Sequence, residues 1–451
     1  GEVIAQTPCC TKSEVEQAIA AAKEAFKAWS NVPVFKRVQV LFKFRDLIDE
    51  HMDELTDTVA REHGKVWAEA RGDILKVKEP VEFACGAPSL MLGESLADTS
   101  SGYDTVLYRE PVGVFAGIVP FNFPGMIPMG WMAPLCIAAG NTMVLKAASM
   151  TPMTAMRLTE LWQQAGLPDG VLNILTCSRN EAEIFLTHPD IKGVTFVGST
   201  SVGLHIYSTA AAHGKRVQAL CEAKNHGLVL EDAALERSAR GIINSSFGCA
   251  GERCMALPVI VAEESIADKL VKLLVKYASE LKIGPAYEKD SELGPVVTNE
   301  HRQSILKWIE KGIEEGAELI LDGRNAKVTG YENGFYLGPT IFDHVTEEMS
   351  VGSKEIFGPV LQIVRARDFE EALRLPSDHQ YGNGVAIFTR NGHAAREFAQ
   401  RVNVGMVGIN DWSLSTPEAP FGGMKQSGLG REGSTEGIYE FTETQYIATN
   451  W

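Results

Sequence analysis

The stretch TFVGSTSVG, residues 195–203, passes from an apolar run through a small polar turn into a helical pattern. Free N–H groups and the dipole at a helix N-terminus attract anions, and Gly198 and Gly203 allow the backbone to come close to one. Ser199 can donate a hydrogen bond to the same anion. The stretch therefore predicts a phosphate-binding turn between a strand and a helix, and an ordinary strand-to-helix turn remains the alternative.

The sequence on either side of this turn alternates in the same way. Short apolar runs predict strands at about 114–119, 142–146, 171–175, 193–197 and 217–221. Helical spacing fills the gaps at about 126–139, 152–165, 180–188 and 201–213. Strands separated by helices predict a doubly wound parallel sheet in an α/β domain, which binds ligands at the carboxyl ends of its strands.

Two helices are predicted before this series, and a second α/β series follows it. Thr11 and Glu14 fit a capping box at the start of the first helix, and the second is expected to run from about 35 to 62. The later series predicts helices near 264–281 and 299–316, and strands near 258–262, 361–366, 384–388 and 406–409. The segments 100–109 and 438–448 are expected to be extended.

These patterns predict three structural units. A cofactor domain would comprise residues 1–99 and 115–224, and a second α/β domain, the catalytic one, residues 225–420. A small β extension that pairs subunits would comprise residues 100–114 and 434–451. A chain of 451 residues exceeds the length at which one hydrophobic core usually stops growing, so more than one domain is expected.

The composition excludes several classes of function. The net charge of −16 lacks the basic surplus that nucleic-acid binding requires. The most apolar segment, 126–139, contains Pro128 and Pro134 and is too short to span a membrane. The sequence shows no secretory signal, so a cytoplasmic protein with reduced cysteines is expected.

Glycines at 428, 430 and 433 give the chain one G-x-G-x-x-G pattern. A dinucleotide fingerprint needs a βαβ unit after it, and only 18 residues follow Gly433. A flexible glycine-rich loop is therefore the better prediction.

The sequence CAGERC at 249–254 places two cysteines five positions apart. Zinc sites need about four ligands, and the nearby candidates Cys221 and His226 lie at irregular spacing, so no metal site is expected. Two interpretations therefore remain: one of the two cysteines is a nucleophile, or both are inert and packed in the interior. The charge of Arg253 would favour the thiolate form of Cys254.

Six segments, taken in order, resemble the aldehyde dehydrogenase superfamily over nearly the whole chain. They are PFNFP at 120–124, GNTMVLK at 140–146, TFVGS at 195–199, GERC at 251–254, EIFGP at 355–359 and PFGGMKQSG at 420–428. The resemblance implies that Cys254 adds to an aldehyde and that Asn122 donates a hydrogen bond to the resulting oxyanion.

The same resemblance implies a nicotinamide cofactor. Lys146 and Glu355 match residues that hold its riboses, and Phe357 matches one near the nicotinamide. Pro120, Phe121, Gly198, Ser199 and Gly203 complete the implied cofactor site. Ser149 stands where relatives that prefer NAD often carry a glutamate. The absence of this negative charge favours NADP over NAD. A homodimer or homotetramer is also implied.

The position of the usual water-activating glutamate is occupied by Leu220. With AKNH at 223–226, this departure resembles the methylmalonate-semialdehyde dehydrogenases, which pass the acyl group to coenzyme A. That branch binds its substrate carboxylate with two arginines, of which Arg253 matches one. Lys76 stands at the position of the other, where it keeps the positive charge but loses the bidentate geometry of arginine. The segment 418–423 instead resembles succinate-semialdehyde dehydrogenases.

Three alternatives remain at this point. Glu222 could act as a displaced base and allow hydrolysis to the free acid, or its carboxylate could simply pair with a nearby Lys or Arg. The chain could also be a non-catalytic nucleotide-binding protein, although Cys254 and Asn122 are both present.

Overall fold

The computed structural model describes residues 1–412 and 415–451. Its first large sheet has six strands, of which five are parallel. In spatial order they are Gly428–Leu429, Arg216–Leu220, Ile191–Val197, Val114–Ile118, Thr142–Lys146 and Leu172–Leu175. All five predicted strands are present. They are mostly buried, as expected for a parallel sheet covered by helices on both faces.

The sixth strand of this sheet corrects the prediction of a flexible glycine-rich loop. Gly428–Leu429 pairs antiparallel with the strand Arg216–Leu220, with Gly428 opposite Leu220. A Cβ at Gly428 would lie 2.0 Å from the carbonyl oxygen of Ala219, so the close approach of the two backbones requires glycine. Gly428 therefore allows a strand to pair at the edge of the six-stranded sheet.

A second large sheet has seven strands. In spatial order they are Glu318–Leu321, Thr340–Asp343, Val360–Ala366, Val259–Glu263, His226–Val229, Gly384–Phe388 and Met406–Ile409. Only the edge strand Glu318–Leu321 is antiparallel to its neighbour. The four strands predicted here are present, and the sequence pattern missed the other three.

A separate three-stranded antiparallel sheet is formed by Ser95–Ser100, Tyr103–Pro111 and Thr442–Asn450. The prediction that the tail is extended from residue 438 is wrong at its start, because Ser434–Glu440 is a helix with Ile438 buried. Tyr381–Gly382 and Met424–Lys425 form a further two-stranded pair.

The helices of the first half pack on the six-stranded sheet or on one another. They are Lys12–Trp29, Val34–Glu50, Met52–His63, Trp67–Ala84, Ala87–Leu90, Ala133–Ala138, Met153–Gln164, Arg179–Ala182, Ile184–Thr187 and Thr200–Ala212, with the π-helix Ile127–Met132. The predicted capping box at Thr11 and Glu14 is present. The single helix predicted at 35–62 is two helices that meet at His51, because the buried apolar face continues across the break and hides it in the sequence.

The remaining helices belong mainly to the second half of the chain. They are Leu235–Phe247, the 3₁₀ helix Gly248–Gly251, Glu264–Ser279, Asn299–Glu314, Ser350–Ser353, Phe369–Asp378, Gly392–Arg401 and Ser434–Glu440. Within the described ranges, no helix has the length and apolar character needed to cross a membrane.

Candidate active site

A strained turn carries Cys254. The helix Leu235–Phe247 is followed by a short 3₁₀ segment in which Cys249, Ala250 and Gly251 have φ values of 53°, 51° and 74°. Non-glycine residues seldom adopt this left-handed conformation, and such strain is often found at functional sites. A Cβ on Gly251 would lie 2.1 Å from the carbonyl oxygen of Gly358, so this position cannot carry a side chain without a shift.

Cys254 is half-buried, and its backbone is firmly held. Its carbonyl oxygen accepts hydrogen bonds from the side-chain amides of Asn225, at 2.8 Å, and Asn383, at 3.2 Å. Burial raises the pKa of the Cys254 thiol to about 12; the negative charge of Glu355 adds to this, and Arg253 opposes it. The thiol is therefore protonated at neutral pH in this structure.

Cys249, the other cysteine of the turn, is buried at 5% exposure. Burial raises the pKa of its thiol to about 12 as well. Its backbone N–H donates to Glu69 Oε1 at 2.8 Å. All eight cysteines are free thiols, and no group of three or more possible His, Cys, Asp or Glu metal ligands occurs in the described part of the chain.

Asn122 lies against the same turn. The side chain is 2% exposed, and its Nδ2 donates to the carbonyl oxygen of Glu252 at 3.1 Å. Its Oδ1 has no hydrogen-bond partner in the described structure. The amide of Asn122 is thus fixed to the turn at the residue two positions before Cys254.

The side chain of Glu252 was not singled out by sequence reasoning. It is fully buried, accepts a hydrogen bond from the N–H of Val297 at 3.1 Å and has His301 Nε2 at 3.4 Å. Burial raises its pKa well above the usual carboxyl value. The available signal was an acidic residue in the turn CAGERC, directly before Arg253.

Two cavities meet at Cys254. The larger, of about 570 Å³, is lined by Cys254 and Arg253 together with Lys76, Phe123 and Trp131, among others. The smaller is also lined by Cys254 and Arg253, here with Glu355, Phe357 and Ala223. A molecule in the larger cavity can therefore reach the thiol, whereas the smaller one, of about 20 Å³, has room for about one water.

The smaller cavity contains two of the predicted cofactor residues. Glu355 Oε1 accepts the N–H of Ala223 at 3.0 Å, and burial raises the pKa of this carboxyl to about 8. Phe357 has a positive φ of 58° and packs edge-on against Phe121, with ring centroids 6.0 Å apart. The structure thus brings Glu355, Phe357 and Phe121 to the region beside Cys254.

The other predicted cofactor residues lie at the carboxyl edge of the six-stranded sheet. Lys146 ends the strand Thr142–Lys146 and is half-buried, and its side chain forms no hydrogen bond or salt bridge with the described residues. Ser149 is exposed three residues later, and Pro120 follows the adjacent strand Val114–Ile118. Since neighbouring parallel strands end at the same edge, these residues face one ligand region.

The turn predicted to bind phosphate is also at this edge. Gly198 donates its N–H to the carbonyl oxygen of Leu220 at 3.0 Å, and Ser199 is the residue before the helix Thr200–Ala212. A Cβ on Gly203 would lie 2.4 Å from the sulfur of Cys221. Gly203 therefore allows the helix to pack closely against Cys221, which follows the strand Arg216–Leu220.

The predicted carboxylate-binding residues line the larger cavity. Arg253 Nη2 donates to the carbonyl oxygens of Asn244, at 2.7 Å, and Ser245, at 2.9 Å, while its buried Nε has no partner in the described structure. Lys76 Nζ donates to Glu79 and to the carbonyl oxygen of Ser415.

Two further arginines line this cavity and were not predicted. They are Arg237, on the helix Leu235–Phe247, and Arg390, whose Nε donates to the carbonyl oxygen of Asp232 at 2.6 Å. Neither residue lies in a segment that resembles a motif. The cavity is consequently more basic than the sequence indicated.

Leu220 and Glu222 lie close in sequence but differ in surroundings. Leu220 is 4% exposed and belongs to the hydrophobic core. Glu222 Oε2 accepts the N–H of Thr200 at 3.3 Å and the hydroxyl of Tyr381 at 3.2 Å. Glu222 forms no salt bridge with a Lys or Arg of the described residues, so the simple pairing alternative does not describe this side chain.

Comparison with known proteins gives consistent results over the full length. The aldehyde dehydrogenase family profile matches residues 1–447. Malonate-semialdehyde dehydrogenase 2 of Geobacillus kaustophilus is 47% identical over 100% of this chain and 93% of its own length. Malonate-semialdehyde dehydrogenase 1 of Geobacillus thermodenitrificans is 48% identical with the same coverage.

Solved structures show the same relationship. The methylmalonate-semialdehyde dehydrogenase of Oceanimonas doudoroffii has a TM-score of 0.98 and 41% identity, covering 100% of this chain and 93% of that one. A Sinorhizobium meliloti 1021 structure, solved in complex with NAD, has a TM-score of 0.96 and 44% identity over 98% of this chain and 91% of that one.

Proposed function

We propose, because the chain belongs to the aldehyde dehydrogenase family, that it oxidises a small acid semialdehyde with NAD(P)⁺ and transfers the acyl group from Cys254 to coenzyme A. The position of Cys254 between two cavities carries this proposal, because one cavity is lined by Arg253 and Lys76 and the other by Glu355 and Phe357. An acid aldehyde can reach the sulfur through the larger cavity, and a nicotinamide would approach it from the other side by widening the smaller cavity, whose volume is about 20 Å³.

The first step is attack of the Cys254 thiolate on the aldehyde carbon, which forms a C–S bond and an alkoxide. The second N–H of Asn122 Nδ2 and the backbone N–H of Cys254 would stabilise this oxyanion. A donor of this kind contributes about 3 kcal/mol in the transition state. When bound, NAD(P)⁺ accepts the hydride that leaves the same carbon, and the enzyme is left as a thioester on Cys254.

Burial opposes this attack, because it keeps the thiol protonated. Arg253 and the backbone N–H groups of Cys254 and Met255 favour the thiolate, whereas Glu355 disfavours it. The protonation state of Glu355, whose pKa is raised to about 8, therefore influences how readily Cys254 ionises.

The acid end of the substrate would be held by Arg253 and Lys76 in the larger cavity. Arg253 uses Nη2 for the helix carbonyls of Asn244 and Ser245, and its Nε is free of protein partners in the described structure. Arg237 and Arg390 add positive charge to the lining of the same cavity. This charge favours an anionic aldehyde over an uncharged one.

The second half of the reaction requires a nucleophile to release the acyl group. Leu220 cannot accept a proton from water, and it is buried among apolar side chains. The thiolate of coenzyme A can attack the thioester without such a base, giving an acyl-coenzyme A and releasing Cys254 as the thiolate. Relatives named malonate-semialdehyde dehydrogenase support the acid-semialdehyde class.

Hydrolysis to the free acid is the competing function, with Glu222 as the displaced base. The contacts of Glu222 argue against it, because its carboxylate is bound by Thr200 and Tyr381. Neither contact directs the carboxylate to a water beside Cys254.

The cofactor would lie along the carboxyl edge of the six-stranded sheet. Lys146, whose side chain forms no hydrogen bond or salt bridge with the described residues, suits the ribose hydroxyls, and Ser149 leaves room for a 2′-phosphate where a carboxylate would repel it. We propose that NADP is accepted and preferred, and the structural relative solved with NAD makes NAD the alternative. The ratio of kcat/KM for the two cofactors decides between them.

The domain division and assembly also follow as proposals. Residues 1–99 and 115–224 would form the cofactor domain, residues 225–420 the catalytic domain, and residues 100–114 with 434–451 the pairing extension. The strand Ser95–Ser100 is exposed along its whole length, and the three-stranded sheet carries exposed Leu96, Tyr446 and Ile447. Exposed strand edges of this kind favour pairing between subunits, consistent with a homodimer or homotetramer.

The deciding experiment supplies malonate, methylmalonate and succinate semialdehydes with and without coenzyme A. We expect acyl-coenzyme A as the product and only slow cofactor reduction when coenzyme A is omitted. Release of free acid at an undiminished rate without coenzyme A would support the hydrolytic alternative. Cofactor reduction that is unaffected by Cys254→Ser would reject the catalytic assignment altogether.

A further inference from the structure

The carboxylate of Glu222 binds a backbone N–H at the start of a helix that borders the proposed cofactor region. Its Oε2 accepts the N–H of Thr200, the first residue of the helix Thr200–Ala212, at 3.3 Å. The hydroxyl of Tyr381 donates to the same oxygen at 3.2 Å. Tyr381 is buried at 6% exposure, so the carboxylate is held by a fixed donor on its other side.

A dinucleotide bound on this edge would use the N–H groups of the same first helical turn. The diphosphate of a nicotinamide cofactor is negatively charged and binds helix N-termini through their free N–H groups. In this structure the first of these N–H groups is already paired with a side chain of the same charge sign. A diphosphate at this turn must therefore displace Glu222 or share the turn with a second negative charge.

The surroundings of Glu222 do not neutralise it. No Lys or Arg of the described residues forms a salt bridge with it, and Glu355 is close enough that Glu222 contributes to raising the pKa of Glu355. The carboxylate of Glu222 therefore opposes the binding of a polyanion on this side of the cofactor region. Glu222 lies two residues after the strand Arg216–Leu220, so its carboxylate is at the strand end that borders the turn.

We propose that Glu222 lowers the affinity for the cofactor, because it competes with the cofactor diphosphate for the N–H of Thr200 and so weakens the binding of both oxidised and reduced cofactor. The inference rests on the proposed function, because it assumes that NAD(P) binds along this edge. The competition makes the cofactor dissociate faster and bind with lower affinity.

The test measures dissociation constants of ADP-ribose, adenosine and NAD⁺ by calorimetry for the wild type and for Glu222→Gln. Glutamine keeps the size of the side chain but removes its charge. We expect ADP-ribose and NAD⁺, which carry a diphosphate, to bind about five-fold tighter to the variant, the size of a favourable charge effect at a helix N-terminus. Adenosine, which has no phosphate, is expected to bind equally to both proteins.

A matched control is Glu183→Gln. Glu183 contacts His205 on the outer side of the same helix at 2.9 Å, so its loss changes the net charge by the same amount without touching the turn. We expect no change in ADP-ribose affinity for this variant. Tyr381→Phe, which removes the second partner of Glu222, is expected to give a smaller gain than Glu222→Gln.

Three outcomes would overturn the proposal: unchanged or weaker ADP-ribose binding by Glu222→Gln, an equal gain for adenosine, or an equal gain for Glu183→Gln. A thermal melt of each variant shows whether it is folded. A wild-type protein that binds neither NAD⁺ nor NADP⁺ would instead reject the proposed function, so the two failures can be told apart.

Discussion

The amide of Asn122 donates a hydrogen bond from Nδ2 to the carbonyl oxygen of Glu252, 3.1 Å away. This bond ties a side chain from the loop after the strand Val114–Ile118 to the turn that carries Cys254. Glu252 is itself anchored by the N–H of Val297. The proposed oxyanion donor and the proposed nucleophile are thereby fixed to each other across 130 residues of sequence.

Asn122→Ala is expected to lower kcat for the semialdehyde about 100- to 1000-fold, because it removes a donor that acts mainly in the transition state. Steady-state kinetics would measure this loss, with a small change in KM. Alkylation of Cys254 by iodoacetamide should proceed at the wild-type rate in the variant, which shows that the thiol is intact. A kcat within about three-fold of the wild type would contradict the role of Asn122.

Glu355→Gln is expected to lower the pKa of the Cys254 thiol. The carboxyl of Glu355 has a pKa of about 8, so it is negatively charged above that pH and opposes ionisation of the thiol there. Removing the charge favours the thiolate. In the cofactor-free variant, the pH at which the alkylation rate rises should therefore be about one unit lower than in the wild type. Below about pH 8 the two proteins should converge, since Glu355 is then protonated in the wild type.

The control for this prediction is Glu300→Gln. Glu300 is an exposed residue in the first turn of the helix Asn299–Glu314, away from the smaller cavity. Its replacement should leave the alkylation profile in place. An unshifted profile for Glu355→Gln would show that its charge does not reach the thiol.

Arg253→Lys is expected to raise KM for malonate semialdehyde by about ten-fold or more, because lysine loses the planar, bidentate recognition of a carboxylate. Propanal, which has no carboxylate, should be oxidised with an unchanged KM. Equal effects on both aldehydes would mean that Arg253 mainly supports the turn through Asn244 and Ser245.

Gly251→Ala is expected to destabilise the protein more than Gly316→Ala, although both glycines have a positive φ, of 74° and 93° respectively. A Cβ at Gly316 meets no atom within 4 Å, so only backbone strain of about 1 kcal/mol is expected. At Gly251 the Cβ would collide with Gly358, which adds roughly 1–3 kcal/mol. Urea unfolding measures the difference, and equal losses would refute the collision.

Sequence patterns predicted the parts of the fold that depend on local order. The parallel strands follow continuous apolar runs, which is why strands such as Thr142–Lys146 and Gly384–Phe388 were found within a residue or two. The break at His51 was missed because the apolar spacing continues through it. The strand Gly428–Leu429 was missed because its partner, Arg216–Leu220, is some 200 residues away.

The residues of the site also divide into those that a local motif predicts and those that depend on long-range contacts. Cys254 and Asn122 were predicted from motifs, and the structure brings both to the same turn. The basic lining from Arg237 and Arg390 arises from segments without a motif. The contacts of Glu222 depend on Thr200 and Tyr381, which meet only in the folded chain.

The fate of the acyl group on Cys254 tests the central claim most directly. The enzyme would be mixed with NAD(P)⁺ and malonate semialdehyde without coenzyme A, quenched in acid, and the peptide that contains Cys254 weighed by mass spectrometry. We predict an acyl adduct on Cys254 that accumulates and disappears when coenzyme A is added, with acyl-coenzyme A formed in equal amount. Steady release of free acid without any adduct, at a rate that coenzyme A does not change, would contradict transfer to coenzyme A.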